Sequence, residues 1–110
     1  LIEPKIAQIP ICIIYDYPKE QSALAQINGP VAHRFELYIN GVEIANGYQE
    51  LQSEEDYRFR FNNELIKRKK LLKTTPLIDK QFLNELKDGG LPYCSGVAIG
   101  LERLFSAKSL

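Results

Sequence analysis

The sequence predicts an α+β domain in which an antiparallel sheet has flanking helices. Three observations support this class: an apolar β-branched run near the start, a long alternating segment that turns at Asn40-Gly41, and two later stretches with helical periodicity. Hairpin turns are the only obvious strand connections, and such turns join antiparallel strands. We therefore expect one antiparallel sheet with helices packed against it.

The first predicted strand is Pro10-Ile11-Cys12-Ile13-Ile14-Tyr15, which is closed by Pro18. Apolar and β-branched residues dominate this run, and such a composition is typical of a buried strand. Asn28-Gly29-Pro30 follows and marks a turn, because all three residue types favour chain reversal.

The next segment has the clearest local pattern in the chain. Arg34 to Ile39 alternates between polar and apolar residues, and Val42 to Leu51 continues in extended form. Asn40-Gly41 lies between the two runs and fits a type I′ turn, which requires positive φ at both central positions. The segment therefore predicts a β-hairpin.

A helix is predicted after the hairpin. Ser53 is its N-cap and Asp56 follows three residues later, in a weak variant of the capping box. The helix extends to about Leu72, and Thr74-Thr75-Pro76 ends it. An apolar residue recurs every fourth position and forms the stripe that faces the core. These residues are Tyr57, Phe61 and Leu65.

A shorter helix begins at Asp79 and ends at Gly89-Gly90, because glycine favours the left-handed conformation that ends helices. Its apolar residues are Phe82, Leu83 and Leu86. Cys94 to Ile99 is small and apolar and predicts a further strand, and Leu101 to Phe105 predicts the start of a last helix.

Composition excludes several classes of protein. Fourteen basic and fourteen acidic residues give zero formal charge, which argues against a stand-alone nucleic-acid binder. The cluster Lys67 to Lys70 follows the acidic run Glu54 to Asp56, an order that suits the dipole of one helix. Cys12 and Cys94 form no CxxC pair, so we expect no zinc site and a reduced, cytoplasmic protein.

The second hairpin strand predicts a mixed polar face. Residues of one parity should project together, and here they are Ile44, Asn46, Tyr48 and Glu50. A carboxylate, an amide and an aromatic ring in a row can hold an aminated ligand, although such a face is also commonly just solvated. Glu43 has the opposite parity to Glu50, so we expect a bulge at Gly47 to realign them.

Small residues occupy every second position of the segment Gly96 to Gly100, which leaves room for a flat ligand against the backbone. Arg103 would then lie near a helix start, available for phosphate pairing or for stacking on a ring. The alternative is close packing of sheet and helix with a surface arginine.

Two segments in this order resemble a known family. Gly96-x-Ala98-x-Gly100-x-Glu102-Arg103 resembles motif 3 of class II aminoacyl-tRNA synthetases. Arg34 to Leu51 looks like the metal- and amino-acid-binding hairpin of the lysyl-tRNA synthetases. Tyr17-Pro18 and Ser22 to Ala25 are similar to the strand and loop that precede this hairpin, so the resemblance covers nearly the whole chain.

One branch of that family fits best, namely the short synthetase-like ligases that attach β-lysine to elongation factor P. Cys94 to Ala98 is similar to the version of motif 3 in that branch. Ala98 stands where lysyl-tRNA synthetases usually carry glycine, and its methyl group would reshape the amino-acid pocket. Gln21 to Ile27 also looks like the loop of the ligases, whereas the tRNA enzymes typically have proline after the serine.

The resemblance implies ATP and Mg²⁺ as cofactors. Glu43 and Ile44 would contact ATP, and Gly100 would lie against the adenosine. Arg103 would bind the nucleotide as the catalytic arginine. Glu43 and Glu50 would be the magnesium ligands, in keeping with the preference of this ion for carboxylates and phosphate oxygens.

The resemblance also implies the amino-acid site and the reaction. Asn46, Tyr48 and Ala98 would line the pocket, and Glu50 would recognise the side-chain ammonium of lysine or (R)-β-lysine. The carboxylate of this amino acid would attack ATP in line, and the aminoacyl group would pass to a lysine ε-amine of elongation factor P.

The resemblance leaves motifs 1 and 2 unmatched, since Arg34-Phe35-Glu36 only superficially resembles the Arg-x-Glu of motif 2. We therefore expect residues 1–110 to be the C-terminal portion of a catalytic domain, inactive alone, from a protein that is a homodimer when intact. Three functions stay open: the elongation factor P ligase, a lysyl-tRNA synthetase region, and a non-catalytic binding module.

Overall fold

The computed structural model describes residues 3–71 and 77–107, with side chains from Lys5 onward. These residues form two compact units. The first comprises the chain up to Gln49 together with the chain from Ser95, and the second is Glu50–Cys94. In chain order the elements are α1 (Glu3–Ile6), β1 (Ile11–Pro18), a 3-10 turn (Lys19–Gln21), β2 (Ile27–Asn28), β3 (Val31–Ile39), β4 (Val42–Gln49), α2 (Glu54–Lys70), α3 (Lys80–Glu85), β5 (Ser95–Ile99) and α4 (Leu101–Ala107).

The first unit is built on one antiparallel sheet, as the sequence predicts. Its strand order is β1-β3-β4-β5, and the short β2 also pairs with β3. The hairpin of β3 and β4 turns at Asn40 and Gly41, whose φ values of 49° and 81° confirm the type I′ expectation. Gly41 also lies close to the turn that follows α1, because an added Cβ would lie 2.9 Å from Ala7.

The hairpin contains a bulge, but not at the predicted position. Leu37 pairs with Ala45 while the next residue of β3, Tyr38, pairs with Glu43, so that Ile44 is the extra residue. Gly47 pairs regularly on both sides, with Phe35 and Val97, and the prediction of a bulge there is wrong. Because a bulge inverts the alternation of faces, the extra residue Ile44 places Glu43 on the same face as Asn46.

Packing explains the glycine at position 47 instead. An added Cβ would collide with the Phe35 ring and would lie 2.9 Å from the Gly96 carbonyl oxygen. We expect Gly47→Ala to lower the free energy of unfolding by about 1–3 kcal/mol, as overpacked interiors do. Urea denaturation measures this change. Gly100→Ala is the matched control, because its methyl group would first meet Arg103 at 3.4 Å; equal losses in the two variants would contradict the packing argument.

The prediction that the first strand is buried is also wrong. β1 is an edge strand of the sheet, and three alternate side chains on one of its faces are more than half exposed. They are Ile11, Ile13 and Tyr15. Local composition could not reveal this, because a β-branched run forms an edge strand as readily as a central one.

The second unit contains the two helices that the sequence predicts. Ser53 caps α2 by accepting a hydrogen bond from the Asp56 amide at 3.1 Å, and Asp79 caps α3 in the same way through the Phe82 amide at 3.0 Å. The predicted end of the first helix at Leu72 and the break at Thr74-Thr75-Pro76 lie outside the described residues.

Aromatic rings join these helices. Tyr57 and Phe82 meet edge to face with ring centroids 5.1 Å apart, and Phe61 lies beside both. Within the described ranges, no helix is both long enough and apolar enough to cross a membrane.

Candidate functional site

Strand register gathers polar side chains on one face of the first unit. In β3 and β4, Arg34 lies opposite Tyr48, Glu36 opposite Asn46, and Tyr38 opposite Glu43. Across β4 and β5, the small residues Gly96 and Ala98 lie opposite Tyr48 and Asn46. Directly paired residues point to the same side of a sheet. We call this surface the polar face, and it consists of Arg34, Glu36, Tyr38, Glu43, Asn46, Tyr48, Gly96 and Ala98.

A buried carboxylate lies at the centre of the polar face. Glu36 is 5% exposed and is the one buried charged residue in the part of the chain that is described. One of its oxygens accepts a hydrogen bond from Arg34 Nη2 at 2.6 Å, and the other accepts one from the Tyr38 hydroxyl at 2.6 Å. Because both oxygens are bonded, the carboxylate can stay charged away from water.

The same carboxylate changes the acidity of the neighbouring phenols. Burial raises the pKa of Tyr17 to about 12, and the negative charge of Glu36 adds to the shift. The hydrogen bond to Glu36 raises the pKa of Tyr38 far above its ordinary value, and burial contributes less. Neither group is therefore suited to act as a general base near neutral pH.

The Tyr17 shift predicts an alkaline limit to stability. Between pH 10 and about 12 the unfolded phenol loses its proton while the folded one keeps it, so the free energy of unfolding falls as pH rises. Tyr17→Phe should remove one late-ionising phenol and make this fall shallower. Near-ultraviolet phenolate absorbance and urea denaturation across this window measure both effects. An unchanged late phase in the absorbance titration would contradict the assignment.

A hydrogen-bonded chain crosses the polar face from β3 to β4. Arg34 Nε donates to Asn46 Oδ1 at 3.2 Å, and Asn46 Nδ2 donates to the Tyr48 hydroxyl at 2.8 Å. The Arg34 guanidinium also lies 4.6 Å from the centre of the Tyr17 ring. The predicted pocket residues Asn46, Tyr48 and Ala98 are thus neighbours, with Ala98 exposed beside Asn46.

The residues predicted to meet the nucleotide lie where β4, β5 and α4 meet. Arg103, in the first turn of α4, donates through Nη1 to the Glu43 carbonyl oxygen at 2.9 Å. The Gly100 amide donates to the Ile44 carbonyl oxygen at 2.8 Å. Because the Ile44 side chain is only 2% exposed, any direct contact of Ile44 with a ligand would come from its main chain.

Glu50 is the first residue of the second unit. Its amide donates to the Cys94 carbonyl oxygen at 3.0 Å, and its carboxylate accepts a hydrogen bond from the Tyr57 hydroxyl at 3.4 Å. Tyr57 is 3% exposed, and burial together with the Glu50 charge raises its pKa to about 12. The hydroxyl of Tyr57, whose ring packs against Phe61 and Phe82, therefore helps to fix the orientation of the Glu50 carboxylate.

In the first unit, Glu43 and Arg103 suit a magnesium-bound nucleotide. Within the described chain, no three residues of metal-binding type cluster together. Mg²⁺ usually takes one or two protein carboxylates and completes its shell with phosphates and water, so a complete protein cage is not required. Glu43 suits this role because its carboxylate is half-buried and no hydrogen bond to it occurs among the described residues. Arg103 retains donors for phosphate beside it.

A separate cavity of about 410 Å³ lies between the end of the hairpin and α4. Ile39 and Val42, which point away from the polar face, form part of its wall. Among the predicted site residues, Arg103 is the one that also lines this cavity. The cavity therefore differs from the polar face.

Sequence reasoning missed the residues that support the site, namely Arg34, Glu36 and Tyr38. The sequence does contain a pattern that could have indicated them, because polar residues occupy every second position of β3, as Asn46 and Tyr48 do on β4. Pairing alone shows that both sets share a face.

Comparisons with known proteins identify relatives of this chain. A family model described as tRNA synthetases class II (D, K and N) matches residues 3–107. Proteins named elongation factor P–(R)-β-lysine ligase are similar: the one from Vibrio cholerae is 44% identical over 106 residues, and the one from Mannheimia succiniciproducens is 41% identical over 110. The matches cover 94% and 97% of this chain but 32% and 34% of those relatives, so the chain spans about a third of their length.

A solved structure supports the fold. The aspartyl-tRNA synthetase from Entamoeba histolytica superimposes with a TM-score of 0.66 at 18% identity, over 96% of this chain and 23% of that protein. At this identity the likeness concerns the fold alone.

Proposed function

Because the chain belongs to the family of class II tRNA synthetases (D, K and N), we propose that its protein activates a lysine-like amino acid with ATP and transfers it to a lysine of elongation factor P. The observation that carries this proposal is the polar face: a pocket-lining amide and phenol lie beside small residues, next to a carboxylate and an arginine suited to a nucleotide.

The nucleotide end of the site would be formed by Glu43, Ile44, Gly100 and Arg103. Glu43 would be a magnesium ligand, and Glu50 is proposed as the second. The magnesium ion, when bound, neutralises phosphate charge. The Arg103 guanidinium, held at the Glu43 carbonyl oxygen, would pair with the phosphates while the main chain at Gly100 receives the adenosine.

The amino-acid end would be formed by Asn46, Tyr48, Ala98 and Glu50. The carboxylate of Glu50 would pair with the substrate ammonium, and burial of Tyr57 behind it supports a fixed orientation. The amino-acid carboxylate would attack the α-phosphate of ATP, releasing pyrophosphate, and the acceptor amine would then displace AMP. The chain contributes positioning and charge to both steps.

Elongation factor P as the acceptor and (R)-β-lysine as the substrate are proposed on the names of the relatives and on Ala98, which pairs with Asn46 and whose methyl group would reshape the amino-acid pocket there. Such an acceptor would place the reaction in the cytoplasm, where reduced thiols such as those of Cys12 and Cys94 are stable. The intact protein is proposed to be a homodimer, as class II synthetases generally are.

Amino-acid-dependent ATP–pyrophosphate exchange tests this proposal. The protein expressed from its complete gene is assayed with (R)-β-lysine, α-lysine and arginine. We expect strong exchange with (R)-β-lysine, weaker exchange with α-lysine and none with arginine. Preference for α-lysine would favour the charging of tRNA, and no exchange with any amino acid would favour a binding module.

A further inference from the structure

The side chain of Arg34 is more fully engaged than a surface ion pair with Glu36 would require. All three guanidinium nitrogens donate hydrogen bonds: Nε to Asn46 Oδ1 at 3.2 Å, Nη1 to the Gln21 carbonyl oxygen at 2.7 Å and Nη2 to Glu36 at 2.6 Å. The aromatic ring of Tyr17 covers its face. With its side chain 19% exposed, Arg34 connects the loop after β1 to both hairpin strands.

These contacts fix the orientation of the Asn46 amide. A guanidinium can only donate hydrogen bonds, so the Asn46 atom that faces Arg34 must be the oxygen. The amide nitrogen then faces Tyr48 and donates to its hydroxyl oxygen at 2.8 Å. A hydroxyl that accepts in this way keeps its own proton for another partner, and no described residue accepts that proton from Tyr48.

We propose that Arg34 is a positioning residue that makes Asn46 and Tyr48 hydrogen-bond donors toward the ligand, so that this part of the pocket binds an acceptor oxygen of the amino acid. The acceptor is the substrate carboxylate, and the substrate ammonium binds elsewhere. Glu36 supports this polarity, because its two oxygens accept hydrogen bonds from Arg34 and Tyr38, and the bond from Arg34 Nη2 helps to hold the guanidinium against Asn46. The inference rests on the proposed function of the same site.

The test is a double-substitution cycle in the protein expressed from its complete gene. Arg34→Lys keeps the charge but loses the forked geometry, and Tyr48→Phe removes the terminal donor. Each should raise the KM for the amino acid about 10-fold, the cost of one well-placed hydrogen bond. The double variant should show no larger increase, because both substitutions break one chain. The KM for ATP should stay within about 2-fold.

Cadaverine, which is lysine without its carboxylate, tests whether Asn46 and Tyr48 contact the carboxylate of the substrate. Its inhibition constant should be the same in the wild-type protein and in both variants. Arg58→Lys is the matched control and should leave the KM for the amino acid unchanged, because Arg58 pairs with Glu54 on the exposed surface of α2. Multiplicative effects in the cycle, an equal rise in the KM for ATP, or weaker inhibition by cadaverine would each overturn the proposal.

Two further measurements keep the outcome decisive. If Arg34→Lys does not fold, Asn46→Asp takes its place, because it keeps the acceptor for Arg34 and loses the donor toward Tyr48. If the wild-type protein exchanges with no amino acid, the proposed function fails, and NMR of the Asn46 side-chain amide then judges the inference. The amide peaks should move on addition of lysine but not of cadaverine; peaks that do not respond to lysine would refute it.

Discussion

Glu43→Gln is expected to lower amino-acid-dependent ATP–pyrophosphate exchange by about 100-fold or more, in the range that loss of one transition-state contact produces. The bulge at Ile44 turns Glu43 onto the polar face, and Arg103 is bonded to its main chain. The amide of glutamine keeps the shape of the side chain but loses the charge that a magnesium–nucleotide complex requires.

The Glu43 prediction has a direct control in the same unit. Glu20→Gln neutralises an exposed carboxylate in the 3-10 turn and should leave exchange unchanged. Raising the magnesium concentration should partly restore the Glu43→Gln variant and have no effect on the control. Exchange by Glu43→Gln within about 3-fold of wild type would exclude a role for this carboxylate in nucleotide binding.

Glu50→Gln is expected to raise the KM for the amino acid about 100-fold or more, because the substrate ammonium would lose the carboxylate that we propose as its partner. Its carboxylate is held by the hydroxyl of the buried Tyr57, which fixes its orientation. The variant should also lose discrimination between lysine and an uncharged analogue such as norleucine. Steady-state exchange with both amino acids measures the two effects.

Tyr57→Phe separates the effect of the Glu50 charge from the effect of the orientation of its carboxylate. It keeps the aromatic contacts with Phe61 and Phe82 and removes only the hydroxyl that donates to Glu50. The KM for the amino acid should rise by about 10-fold or less, the usual value of one hydrogen bond. If Glu50→Gln had no larger effect than Tyr57→Phe, Glu50 would not bind the substrate ammonium.

The sequence was most informative where a local rule decides the structure. Asn40 and Gly41 adopt the positive φ that the turn type requires, and Ser53 and Asp79 cap their helices through their own side chains. Each of these features depends on neighbours within a few residues. For the same reason, the hairpin that carries the site could be predicted from its own residues.

Features that depend on pairing between strands could not be predicted in this way. The extra residue is Ile44, which has nothing in its composition to mark a bulge, whereas Gly47 is small because a ring from β3 lies against it. The role of Glu36 likewise depends on partners at Arg34 and Tyr38 that only the folded strand brings together. The predicted site roles were carried by resemblance, and they stay proposals.

The most direct measurement of the central claim is the intact mass of elongation factor P after incubation with ATP, (R)-β-lysine and the protein expressed from its complete gene. We predict the addition of one β-lysyl group to a single lysine of elongation factor P, dependent on ATP and strongly slowed by Glu43→Gln. Parallel reactions with lysine-accepting tRNA should show no charging. An unmodified elongation factor P together with charged tRNA would contradict the proposed function and identify a tRNA synthetase instead.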